Sequence, residues 1–190
     1  FQQVRYFYPF SKDKVTYTYE KADKIEERIS TGTASQYKYT FETPEDKECL
    51  DLLFANVDDP NDTIDSIINY IISGSGNFNG IVTWSDFQKR LKEQANPTEK
   101  SSSGKEISVL SWRKFYRLFN KSYQKNKQMF TNALGESGVR LREEIADIKK
   151  NDVFVVDVAK LDEESQGFVF GDVMRAVYNL KLGASDRSDE

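Results

Sequence analysis

Residues 151–180 read NDVFVVDVAKLDEESQGFVFGDVMRAVYNL, a pattern that commits the chain to one class of sheet. Val153-Phe154-Val155-Val156 is an apolar run without alternation, ended by Asp157. A strand of that texture is ordinarily buried on both faces and belongs to a parallel sheet. The amphipathic stretch that follows predicts a helix from about Asp162 to Leu182, stopped by Gly183. In a parallel sheet such a helix is a crossover leading to another strand. The strand at 153–157 is therefore expected to be central, with the C-terminal part of the chain an unclosed βα unit.

Working back toward the N-terminus, Val4-Arg5-Tyr6-Phe7-Tyr8 is β-branched and aromatic and ends at Pro9, which predicts a strand. Residues 15–19 and 37–41 alternate with period two and predict two further strands. Between them, residues 21–35 read as a loop or a short helix. From Thr43 the texture becomes helical. Thr43-Pro44-Glu45-Asp46 sets a capping hydroxyl, a first-turn proline and acids at a helix start expected to run to about Phe54. Ile64, Ile67, Ile68 and Ile71 mark a second helix, stopped by Gly74-Ser75-Gly76, and Trp84 to Ala95 a third. Residues 96–106 are expected to form a surface loop. Ser111 is the expected cap of a fourth helix with Trp112, Phe115, Tyr116, Phe119 and Tyr123 along one face. Residues 138–150 predict a further helix, with Val139, Leu141, Ile145 and Ile148 as its apolar set.

The fold class that follows is α/β: N-terminal strands and strand 153–157 in a parallel sheet, with a mostly helical insertion. The alternative is a single α+β domain. The expected divisions are 1–42 (strand-rich core), 43–135 (helical insertion), 136–183 (helix-strand-helix returning to the core) and 184–190 (a loose tail).

Composition restricts the chemistry. The chain has 190 residues, a formal net charge of −4, one cysteine and no histidine. Without histidine there is no Ser-His or Cys-His nucleophile pair and no ordinary zinc site. One cysteine permits no internal disulfide and suits a reducing, cytoplasmic setting. No apolar run approaches the ~18 residues of a membrane span, so no membrane partner is expected.

An apolar strand ending in an acid also raises the question of a nucleotide site. A phosphate loop needs glycines followed by Lys and Ser or Thr. The chain's sole Gly-Lys, Gly104-Lys105, is followed by Glu106, lacks the upstream glycine and has no apolar strand before it. Gly74-Ser75-Gly76 lacks the lysine. Asp157 can hold a metal or cap the next helix, a role for which Asp162 competes, and its spacing to Lys160 misses a nuclease acid-x-lysine pattern by one residue. No catalytic, cofactor-binding or metal-binding residue is assigned.

Two charge poles stand out. Residues 112–135 contain Arg113, Lys114, Arg117, Lys121, Lys125 and Lys127 with no acid. Arg113, Arg117, Lys121 and Lys125 are the candidates for contact with DNA phosphates or a subunit. Residues 42–65 are acidic, which the starts of helices and solubility explain better than a cation site.

The pattern Val153-Phe-Val-Val-Asp157-Val-Ala-Lys-Leu161, followed by Gln166-Gly-Phe-Val-Phe-Gly171-Asp-Val-Met-Arg175, resembles HerA-type ATPases of the FtsK/HerA branch. VRYFYPF at 4–10, the Asp58-Asp59 region and Ser111-Trp-Arg-Lys-Phe115 are similar to the stretch between Walker A and Walker B in bacterial members. The resemblance covers most of the chain through loose apolar patterns. It implies a RecA-like core of a hexameric, ATP-driven DNA translocase or helicase, of a kind that often acts with a nuclease. Walker A would lie before Phe1 and the Walker B acids after Glu190, with ATP and Mg2+ bound by the parent protein and no cofactor by this chain alone. The alternative function is a non-catalytic helical interaction module.

Overall fold

The computed structural model describes residues 3–13, 15–97, 107–135 and 138–185. Most of the expected loop at 96–106, with Gly104-Lys105, and the end of the expected tail lie outside these residues. The chain divides into two compact units: Phe1–Tyr39 with Leu134–Glu190, and Thr40–Ala133.

The first unit is a parallel four-stranded sheet. Its strands are β1 (Val4–Pro9), β2 (Ala34–Tyr37), β3 (Gly138–Val139) and β4 (Val153–Val156), in the order β3-β2-β1-β4. Every pairing is parallel, with Tyr6 opposite Ala34 on one side of β1 and opposite Val155 on the other. The α/β class expected from the sequence is therefore observed. Alternation along β1 sends Tyr6 and Tyr8 to one face, where they pack on Ile25 of α1 (Ala22–Ser30) and on Ala34. Phe7 goes to the other face and meets Phe154 at 5.1 Å between ring centroids. Arg5 lies over both rings and pairs with Glu144 of α6 (Leu141–Ala146). The last helix, α7 (Glu163–Ser185), packs on α6 and sets Phe168 4.7 Å from the Tyr39 ring. Helices thus cover both faces of the sheet.

Several expectations need correction. The helix expected at 138–150 is confined to Leu141–Ala146, with Gly138–Val139 in β3, and α7 runs past Gly183 to Ser185. The strand at 153–157 is an edge, not the centre. Among the described residues β4 has β1 as its one neighbour, and Val155 is 42 % exposed. β1 and β2 are the inner strands, and they are the ones whose side chains are lost from solvent. An apolar run reports low polarity and not position in a sheet, so centre and edge read alike. In consequence, Val155→Asp is expected to cost roughly 1 kcal/mol or less, because the new carboxylate stays hydrated. A urea midpoint far below that of the parent would return β4 to the interior.

Residues 15–19 form no strand. They are turns, organised by Asp13, whose carboxylate accepts from the Ser11 hydroxyl, the Val15 and Thr16 amides and the Thr16 hydroxyl. Those donors hold the Asp13 carboxyl at about 2, below the usual carboxylate value. Finally, β2 begins earlier than expected, at Ala34, and all of residues 36–41 are buried rather than half-exposed.

The second unit is helical. Its elements are α2 (Pro44–Lys47), a 3-10 helix (Glu48–Phe54), α3 (Thr63–Ile72), a short 3-10 turn (Ser75–Asn77), α4 (Trp84–Ala95) and α5 (Val109–Asn126). Thr43 and Asp46 form a capping box at α2. The Asp46 carboxylate also accepts from the Thr40 hydroxyl and the Glu42 amide, at 2.7 and 2.9 Å. The cap of α5 is Ser108 rather than Ser111, since Ser108 Oγ accepts from the Ser111 amide at 3.1 Å. The core is aromatic: Phe41, Phe78, Trp84, Phe87, Trp112, Phe115, Phe119 and Phe130 are all buried.

Candidate functional site at the carboxyl ends of the strands

The strand order fixes where a site can form in the first unit. The chain passes from β1 outward to β2 and β3, then returns to the far side of β1 for β4. The direction of winding reverses between β1 and β4. At such a reversal the loops leaving adjacent strands diverge and open a crevice beyond their carboxyl ends. Here those loops are residues 10–21, between β1 and α1, and residues 157–162, between β4 and α7.

Asp157, the first residue after β4, sits in that position and is 6 % exposed. Its amide donates to Phe7 O at 2.7 Å, extending the ladder by one residue. Its Oδ2 accepts from the Tyr6 hydroxyl, from Thr18 Oγ1 at 3.2 Å and from the Tyr19 amide at 2.6 Å. Its Oδ1 accepts from the Ala159 amide at 3.0 Å, and its carbonyl from the Tyr37 hydroxyl at 2.9 Å. One buried carboxylate thus ties β1, the β1–α1 loop and the start of the β4–α7 loop together, and its carbonyl adds β2. Burial, then the hydrogen bond to Asp157, pushes the Tyr6 phenol up to about 12. Burial likewise raises Tyr37 well above its ordinary value. Both phenols therefore stay protonated and donating at neutral pH.

This geometry gives Asp157 a role beside the two considered from the sequence. Asp162 takes the helix-starting role, accepting from the Glu164 and Ser165 amides and from Ser165 Oγ. Asp157 is a loop clamp. Among the described residues no group of three His, Cys, Asp or Glu side chains is placed to share a metal ion. The partners Thr18 and Tyr19 were missed in the sequence because Val15–Tyr19 alternates like a strand. The signal that contradicts a strand there is Asp13 with Thr16, the spacing of a side chain that closes a turn on its own backbone.

At the carboxyl end of β2, Lys38 is also buried. Its ammonium lies 4.3 Å from the centre of the Phe10 ring and donates to Leu134 O at 2.7 Å. Burial lowers its pKa from the ordinary lysine value. Gly138 makes room for the stem: a Cβ there would stand 2.4 Å from Lys38 Cδ and 2.5 Å from Leu134 O.

The basic candidates lie in the second unit. α5 buries Trp112, Phe115, Phe119 and Tyr123, leaves Tyr116 half-buried and exposes Arg113, Arg117, Lys121 and Lys125, so apart from Tyr116 the aromatic and basic faces separate as the spacing predicts. Arg113 is partly engaged, donating from Nε to Ala95 O, the last carbonyl of α4, at 2.9 Å. Lys114 pairs with Asp59 at 3.0 Å. Asp59 also accepts from the Ile64 amide at the start of α3, and that bond, followed by Lys114, lowers its pKa. Part of the acidic segment thus serves a helix start.

No helix among the described residues is long and apolar enough to cross a membrane. The chain matches no protein-family model, no curated protein and no solved structure.

Proposed function

We propose that this chain is the central portion of a HerA-like, ATP-driven DNA translocase or helicase, without nucleotide-binding motifs of its own. The observation that carries the proposal is the open edge of the sheet at β4. β4 is hydrogen-bonded to β1 on one side, and Val155 of β4 stands 42 % exposed. Parallel sheets are ordinarily enclosed, so this edge fits a RecA-like sheet that continues beyond β4. The resemblance at 153–175 implies that the next strand there is the one carrying the Walker B acids. The sequence is consistent with the second half of the reading. The loops leaving β1 and β4 contain no glycine, and so cannot wrap backbone amides around a phosphate in the manner of a phosphate loop.

Two outcomes are expected. Titration of the chain with Mg-ATP in a calorimeter gives no micromolar binding, and a micromolar site would overturn the assignment of the nucleotide motifs to other parts of the parent. In the parent assembly, Arg117→Glu with Lys121→Glu weakens DNA binding and flattens its dependence on salt, since each lost phosphate contact removes about one unit from the log–log slope. An unchanged affinity and slope would remove α5 from the DNA interface. The ring form, the nuclease partner, the Mg2+-ATP of the parent and the cytoplasmic setting belong to the same proposal.

The second reading, a non-catalytic interaction module, draws on the helical unit Thr40–Ala133, which has a buried aromatic core of its own. It predicts that charge reversal on α5 costs a protein contact and leaves DNA affinity alone.

A further inference from the structure

We propose that the seam between α4 and α5 holds the phosphate backbone of a nucleic acid, and that Lys92 of α4 stands at its centre. The inference rests on the DNA-translocase reading and adds a second helix to the α5 face. Two bonds fix how the helices lie. Arg113 Nε donates to Ala95 O at 2.9 Å, and Gln88 Nε2 donates to Asn120 Oδ1 at 2.6 Å. Both obey one antiparallel register, in which each step back along α4 is a step forward along α5. That register sets Lys92 level with Tyr116. Lys92 follows Gln88 by four residues and so shares its side of α4. Arg113 and Arg117 flank that level on α5, four residues and about 6 Å of rise apart. Lys92, Arg113 and Arg117 are all exposed.

The occupant follows from the charges. Among the described residues Lys92 and Arg117 make no ion pair, and Arg113 meets a carbonyl, whereas Lys121 and Lys125 interact with other groups of the chain. α5 carries no acid along its length. Of the acids on α4, Glu93 pairs with Arg90 at 3.0 Å and Asp86 accepts from Thr83 Oγ1 at 2.8 Å. Three cations grouped in this way repel one another, and a polyanion laid along the seam relieves the repulsion. The rings beneath, Trp84, Phe87, Trp112, Phe115 and Phe119, are buried, so they form no platform for unstacked bases. The carboxamides of Gln88 and Asn120 are bonded to each other and not turned to base edges. What the seam offers is charge, which meets phosphates and does not read sequence.

The test is fluorescence anisotropy of a labelled mixed-sequence duplex with the polypeptide of the complete reading frame, across a salt series. Lys92→Gln is expected to weaken binding and to reduce the log–log salt slope by about one unit for each subunit in contact, since one phosphate contact is lost. Lys92→Arg keeps the slope of the parent. Lys150→Gln, the same charge change at an exposed position of the first unit, leaves affinity and slope alone. A second duplex of unrelated sequence binds the parent equally well. A Lys92→Gln slope equal to that of the parent overturns the proposal, and so does an equal loss from Lys150→Gln or a strong preference for one duplex. So does a Lys92→Gln variant that loses a protein contact while its DNA affinity stands. Each of these leaves the translocase reading in place, whereas a parent that binds no DNA even at low salt overturns both.

Discussion

Trp84→Ala is expected to destabilise the helical unit by about 3–5 kcal/mol, the usual cost of removing a large aromatic side chain from a packed interior. Trp84 is 1 % exposed and touches rings from every direction. Phe41 and Phe130 lie at 4.7 Å between centroids, Tyr123 at 6.0 Å, and Phe87 and Phe119 at 6.2 Å. Those rings come from the segment before α2, from α4 and α5, and from the segment after α5, so the cavity cannot be closed by moving one element. Truncation removes both the transfer energy of the indole and its contacts. Urea unfolding followed by near-ultraviolet circular dichroism reads the effect. A midpoint within error of the parent would mean that the aromatic core is not organised around Trp84. Phe119→Leu, which keeps most of the volume, should cost much less, and the pair of variants separates packing from mere hydrophobicity.

Asp157→Ala is expected to cost roughly 3 kcal/mol or more, since it leaves the Tyr6 hydroxyl, Thr18 and the Tyr19 amide without their acceptor in a buried site. The same variant carries a spectroscopic signature. Tyr6 titrates at about 12 in the parent and should fall part of the way toward 10, because burial is the larger cause and remains. The sign of the linked pH effect follows. A phenol whose folded pKa is raised gives stability that is complete below about 10 and is lost as the pH rises toward 12. Absorbance of tyrosinate during alkaline titration measures the shift, and hydrogen exchange of residues 15–20 reports release of the loop. If neither the titration nor the loop responds, Asp157 is not the clamp described.

The sequence was most informative where periodicity and caps agreed. Four isoleucines at helical spacing gave α3, and Trp84 to Ala95 gave α4 at the bounds observed. Both signals are local, as is the Thr43 to Asp46 capping box. The parallel class of sheet was legible from the unbroken apolar run at 153–156. The order of the strands was not, because whether β4 lies inside or at an edge depends on partners remote in the chain. The loop at 15–19 failed for a related reason. Val15, Tyr17 and Tyr19 alternate, but Asp13 offers the backbone a turn, and Asp157, distant in sequence, holds Thr18 and Tyr19 in place. Of the candidate site, the identity of Asp157 as a special acid was visible, and its role was not. A carboxylate reads the same whether it meets a metal, a helix end or two hydroxyls. The exposure of Arg113, Arg117, Lys121 and Lys125 on α5 was legible, because it depends on the spacing of one helix, whereas the bond from Arg113 to Ala95 O of α4 was not.

The central proposal is that the edge at β4 belongs to a HerA-like ATPase core. Its most direct test is steady-state ATP hydrolysis, with and without DNA, by the polypeptide of the complete reading frame, measured beside the 190-residue chain. The account predicts Mg2+-dependent hydrolysis stimulated by DNA in the complete polypeptide and none in the chain. A complete polypeptide that hydrolyses no ATP under any of these conditions would contradict it.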